Sequence, residues 1–107
     1  MKKIITTNKA PAPIGPYNQA ILSNGTLYTS GQIAIDPVTM ELVLDDIKTE
    51  TKQVMENMKA VLEAAAMSFQ NVVKTSIFIA DMNDFKAINE VYGSYFNAVS
   101  YTHLTLP

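Results

Sequence analysis

The pair Asn24-Gly25, set between two β-prone runs, limits the possible folds more than any other feature of this chain. A two-residue type I′ hairpin turn needs positive φ at both central positions. Asn-Gly accepts that geometry at the least steric cost. Residues 19–23 and 26–30 are therefore predicted to be neighbouring antiparallel strands.

The other elements follow from period and punctuation. Residues 2–6 (Lys-Lys-Ile-Ile-Thr) read as a short strand. Between Ala10 and Tyr17, three prolines and Gly15 enforce an extended, ordered loop. Asp36-Pro37 marks a turn, and a short strand is expected at 42–44. From Asp46 to Ala66, Ile47, Val54, Met58, Val61, Leu62 and Ala65 recur at three- and four-residue spacing, which predicts an amphipathic helix. Asp45 and Asp46 suit its N-terminal end, where the helix dipole favours negative charge. Residues 72–79 are β-rich, with Val73, Thr75, Ile77 and Ile79 on one side. A second helix is expected over 84–96, with the stripe Phe85, Ile88, Tyr92, Tyr95 and Phe96. Two helices on one face of a mixed sheet would bury both stripes. The far face would need its own cover, so an oligomer is expected.

Composition removes several function classes. The chain of 107 residues suits one domain. At 48% hydrophobic and 17% charged it has the make-up of a folded globular protein. No apolar run approaches the ~20 residues that span a bilayer, and no signal peptide is expected at the start. With no cysteine, thiolate catalysis, disulfides and cysteine-based zinc sites are excluded. A net charge of −2 disfavours a nucleic-acid binder. All basic side chains are lysines, so no residue here can clamp a carboxylate with a bidentate guanidinium.

Four segments carry a family resemblance. They are Ala10-Pro-Ala-Pro-Ile-Gly-Pro-Tyr-Asn-Gln19, Tyr28-Thr-Ser-Gly-Gln-Ile-Ala-Ile-Asp-Pro37, Val73-Lys-Thr-Ser-Ile-Phe-Ile-Ala-Asp-Met-Asn-Asp-Phe85 and Asn89-Glu-Val-Tyr-Gly-Ser-Tyr-Phe96. In that order and spacing they resemble the Rid (YjgF/UK114-type) family over residues 1–97. The resemblance implies an α+β, chorismate-mutase-like fold: a mixed β-sheet with two helices packed on one face. It implies a cytoplasmic homotrimer with ligand sites between subunits. The implied activity is hydrolytic deamination of reactive enamines and imines (2-aminoacrylate, 2-iminopropanoate, 2-iminobutanoate) to 2-oxo acids and ammonia, with no cofactor and no metal. By the same resemblance Tyr17 lines the pocket, Ser30 and the Gly31 backbone contact the ligand, and Asn89 supports the pocket from the second helix. The alternative is a non-catalytic trimer that binds small 2-oxo acids. Neither reading involves nucleic acid or a membrane.

Residues 98–107 depart from the family pattern. The family's carboxylate-binding arginine and its water-positioning glutamate have no match, so no catalytic residue is assigned, and the last strand or strands are expected to be missing. Ser100-Tyr-Thr-His-Leu-Thr-Leu-Pro107 is similar to a translated sequencing adaptor, and 98–107 is expected to be an artefactual tail. The chain as it stands is then expected to be inactive and aggregation-prone, most of all at Val73–Ile79, beside an unpaired strand edge.

Other readings of these residues are structural. Tyr17 could pack a loop, Ser30 could end a strand, and Asn89 could be a structural hydrogen-bonder. Asp81 and Asp84 are expected to cap the second helix. Met55, Met58 and Met67 are expected to fill the core. His103 lies in the divergent tail, which argues against a general-base role.

Overall fold

A computed structural model of the chain describes residues 2–13, 17–96 and, by their backbone, 103–105. The predicted proline loop lies partly outside the described residues, at 14–16. Strands β1 (Lys2–Ile5), β2 (Ala20–Ser23) and β3 (Thr26–Thr29) form an antiparallel sheet in chain order. The hairpin turn is the one expected, with φ of 53° at Asn24 and 79° at Gly25. Register places Ile5 opposite Ala20 and Ala20 opposite Thr29 on one face. Ile4, Ile21 and Tyr28 line up across the other.

Helix α1 (Ile47–Ala64) starts where the aspartates predicted. Asp46 accepts from the Thr49 N–H at 2.8 Å, and this bond holds the Asp46 carboxyl below its usual range. The helix ends without glycine. Ala66 takes a φ of 59°, Met67 N–H bonds to Leu62 O at 2.8 Å and Ala66 N–H to Glu63 O at 2.9 Å, a Schellman closure.

The buried residues of α1 are Met55, Asn57, Ala60, Val61 and Leu62. This face is rotated from the expected stripe, because Val54, Met58 and Ala65 are only half-buried. Ala60 and Val61 pack with Ile5, Ala10 and Ala20, so α1 covers the inner face of the sheet. Met67, like Met58, is half-buried, while Met55 is in the core.

Strand β4 (Lys74–Ser76) is shorter than the predicted 72–79. Alternation from Lys74 to Ile79 holds, with Phe78 exposed and Ile77 turned inward, but Val73 on the expected inner side is 72% exposed. Among the described residues the partner of β4 is β5 (His103–Thr105), parallel to it, so residues 103–105 occupy the edge expected to lack a neighbour. Backbone groups of any extended segment can satisfy such a ladder. At 42–44 there is no strand, only a single antiparallel bridge between Ile35 and Leu42.

Helix α2 (Phe85–Ser94) lies against α1. Its Tyr92 and the following Phe96 join Met55 in a second apolar cluster, bordered by Phe69, Val72 and Ile77. Asp81 caps the short 3-10 turn Met82–Asp84, accepting from Asn83 N–H at 2.9 Å. Asp84 makes no side-chain cap bond to α2. Capping chemistry is therefore displaced by one turn from the expected position. Among the described residues, no helix is long and apolar enough to cross a membrane.

Candidate functional site

The β2–β3 register, continued one step past Ala20 and Thr29, sets Gln19 opposite Ser30. The Ser30 N–H donates to Gln19 O at 3.0 Å, and the Ser30 hydroxyl donates to the same oxygen at 3.1 Å. The hydroxyl proton is thus committed to the chain. What Ser30 Oγ offers outward is its lone pairs, an acceptor for water or for an N–H.

Gly31 follows in exposed, open backbone, and a Cβ built on it would meet nothing within 4 Å. Its N–H makes no hydrogen bond among the described residues. The corner therefore presents one free donor beside one acceptor. A backbone N–H is suited to an anionic or carbonyl oxygen of a ligand.

Tyr17 is 68% exposed and lies two residues before Gln19. It belongs to the same end of the sheet as Ser30 and Gly31. Asn89 stands apart. It is exposed on α2, and no hydrogen bond among the described residues joins it to the Ser30 corner. Ser30 and Gly31 thus adjoin, Tyr17 lies two residues from Ser30's partner Gln19 in the chain, and Asn89 is on α2.

Two buried polar residues shape this edge and escaped the sequence reading. Gln19 is 3% exposed, and its carboxamide holds the Thr7–Pro11 segment. Asn57, 1% exposed on α1, donates to Ile33 O at 3.1 Å and Ile35 O at 2.9 Å, and accepts from Gln53 Nε2 at 2.9 Å. It ties down the segment that leaves Gly31. The available signal was its place in line with Ala60 and Val61, where a polar residue must bring partners.

The clearest hollow on the described surface lies elsewhere, as an open groove between the helices that includes Lys48, Lys52, Glu90 and Tyr95. Lys48 Nζ is 2.8 Å from Glu90 Oε2 across it, with both side chains more than half exposed. That charge is already paired at the surface, and the groove gathers none of the four expected contacts. The Ser30–Gly31 corner is the better candidate because, among the described residues, its donor and acceptor have no other partner. No group of three or more His, Asp or Glu side chains able to hold a metal occurs among the described residues.

Comparison with known proteins agrees with this architecture. A family described as Endoribonuclease L-PSP matches residues 7–106. A RutC family protein of Synechocystis is 54% identical over 96 residues, covering 89% of this chain and 74% of that protein. The 2-iminobutanoate/2-iminopropanoate deaminase of Mus musculus is 48% identical over 96 residues, covering 90% of this chain and 71% of that enzyme. The crystal structure of a Rid-family protein of Yersinia pestis, described as of unknown function, superposes with a TM-score of 0.96 at 43% identity, covering 100% of this chain and 85% of that one. TdcF of E. coli, solved with bound serine, gives a TM-score of 0.90 at 39% identity, covering 98% of this chain and 84% of that one. With its YjgF-like α+β fold and these relatives, the chain belongs to the Endoribonuclease L-PSP, or YjgF/Rid, family.

Proposed function

We propose that this protein hydrolyses small reactive enamines and imines, such as 2-aminoacrylate, 2-iminopropanoate and 2-iminobutanoate, to 2-oxo acids and ammonia. The observation that carries the reading is the Ser30–Gly31 corner: a spent hydroxyl proton beside a free backbone N–H, in a chain 48% identical to an enzyme named for this reaction.

The chemistry asks little of the protein. An imine carbon is already electrophilic, so no covalent nucleophile is required. Water adds to the carbon, a proton moves to nitrogen, and ammonia leaves as the carbonyl forms. The enzyme must place the water and hold the substrate. On this reading Ser30 Oγ accepts from the water or the imine N–H, the Gly31 N–H meets a substrate oxygen, and Tyr17 and Asn89 line the site. No metal or cofactor takes part.

Charge and assembly complete the proposal. The 107 residues contain only lysine as a strong cation, so a guanidinium that anchors the substrate carboxylate is not among them. The 107-residue chain alone is therefore expected to turn over poorly. The row of exposed Ile4, half-buried Ile21 and exposed Tyr28 favours self-association into a homotrimer in the cytoplasm, with sites at the junctions of copies. An RNA-directed activity is disfavoured by the net charge of −2. The serine bound to TdcF supports a second reading, a protein that binds small amino or oxo acids without turning them over.

Semicarbazide trapping beside serine dehydratase separates the two. Protein expressed from the complete coding sequence should lower the trapped imine. Binding of 2-oxobutanoate with no effect on trapping would select the second reading. Comparing that protein with the 107-residue chain tests the competence of the latter.

A further inference from the structure

Gln19 is buried, polar and saturated with bonds, and the proposed chemistry makes no direct use of it. Its Oε1 accepts from Thr7 N–H at 2.7 Å. Its Nε2 donates to Thr7 O at 3.0 Å, Pro11 O at 2.9 Å and Ala10 O at 3.3 Å. Two amide hydrogens thus serve three carbonyls. Its own carbonyl receives both bonds from Ser30.

These bonds solve a specific problem. Pro11 and Pro13 have no N–H, so the segment that follows Thr7 cannot extend the ladder beside β2. Its carbonyls still need donors where the chain is covered. Gln19 supplies them from inside the sheet edge. One residue therefore fixes the Thr7–Pro11 backbone through its side chain and the Ser30 corner through its main chain. Tyr17 is exposed and lies two residues before this anchor in the chain.

We propose that Gln19 is a positioning residue for the imine-hydrolysing site, setting the Ser30 hydroxyl, the Gly31 N–H and Tyr17 in one register without touching substrate. The inference rests on the function proposed above. A carboxamide is required because the pocket around it needs an acceptor at one end and a double donor at the other. Gln19→Met keeps length and removes both. Gln19→Glu keeps shape but turns an acceptor toward three carbonyls.

The test uses protein from the complete coding sequence, held well below the melting temperature of each variant. In folded Gln19→Met, kcat for 2-iminobutanoate hydrolysis should fall about tenfold or more, the scale of a small misplacement of catalytic groups. Ser30→Ala should then add little to the loss, because the hydroxyl is already displaced. Unchanged kcat and KM in the folded variant, or fully additive losses, would overturn the proposal.

Amide NMR keeps this separate from the function itself. Without any ligand, Gln19→Met should move the Ser30, Gly31 and Tyr17 amide signals. If the unaltered protein hydrolyses no imine, the proposed reaction fails, while static signals in the variant sink the positioning role. Should Gln19→Met not fold, Gln19→Glu decides. Protonation at low pH restores one donor, so its activity relative to the unaltered protein should rise as pH falls. A flat ratio counts against the role.

Discussion

The side-chain nitrogen of Asn57, midway along α1, sits 2.9 Å from the carbonyl oxygen of Ile35, in a segment held, among the described residues, by a single β-bridge to Leu42. A second bond, to Ile33 O, makes this one residue a double tie between the helix and the chain leaving Gly31. Asn57→Ala strips donors from two covered carbonyls and leaves a void. The expected loss is about 3 kcal/mol, read as a lower urea midpoint with unchanged m. Asn57→Asp adds a pH signature. A buried carboxylate facing carbonyls ionises less readily, so its folded pKa rises above the unfolded value near ~4. The extra penalty should be absent at lower pH and grow as pH climbs through that range.

Two positions test backbone conformation alone. Ala66 closes α1 with a φ of 59°, a geometry that suits glycine better than alanine. Ala66→Gly should therefore stabilise the protein by about 0.5–1 kcal/mol despite removing a methyl group. Gly25→Ala should do the reverse by about 1 kcal/mol, although a Cβ there meets nothing within 4 Å. Equal melting temperatures for all three proteins would contradict both turn geometries.

How much of this could be read from the chain depended on the kind of constraint. The hairpin at Asn24-Gly25 and the helix start beside Asp46 are local devices, and both formed where expected; the Asp46 cap bond is added by the structure. The α2 stripe held in part: Ile88, Tyr92 and Phe96 are buried, while Phe85 and Tyr95 are half-buried. Pairing is not local. The run 72–79 looked uniformly β-prone, whereas among the described residues the strand covers Lys74–Ser76, so side-chain preference alone did not fix its bounds. The α1 stripe was misplaced for a related reason. Hydrophobicity could not reveal that Asn57 belongs inside, because its burial depends on carbonyls 22 and 24 residues away. Of the proposed site, Tyr17, Ser30 and Gly31 were legible only through a family motif, and the geometry adds the bonds around them.

The two polar links between the helices should respond to pH differently: Lys48–Glu90 weakens in both acid and alkali, the Tyr95 link in alkali. Beside Lys48, the Glu90 carboxyl is lowered from its ordinary 4.5, and Lys48 is raised from 10.5 by the same contact. Glu90 therefore contributes stability above 4.5 that is lost as pH falls through its lowered folded value. Lys48 contributes below 10.5 and loses its share as pH rises past its raised one. Tyr95 is raised from 10.0, first by burial and then by donating to Glu56 Oε2 at 2.6 Å. Its contribution is present below 10.0 and lost at more alkaline pH. Lys48→Met should lower the melting temperature slightly at neutral pH in dilute buffer. The difference should vanish in about 1 M salt, where the Debye length is about 3 Å. Tyr95→Phe should keep its ring contact with Phe69 at 5.3 Å and lose only the alkaline sensitivity. Alkaline melts that match the unaltered protein would remove the Tyr95 hydroxyl from the account.

The proposed site makes the sharpest separation between fold and activity. Gly31 has no steric reason to be glycine: space around it is open, and its φ lies outside the left-handed region. Gly31→Ala should leave stability within about 0.5 kcal/mol, while the new methyl crowds any ligand reaching the adjacent N–H. Tyr17→Ala should be equally silent in a melt, since the side chain is 68% exposed. Ser30→Ala keeps the N–H bond to Gln19 and loses only the hydroxyl. In imine trapping, all three should be slower, with Gly31→Ala raising KM and Ser30→Ala lowering kcat. If all three retain full rates at unchanged stability, the reacting imine does not sit at this corner.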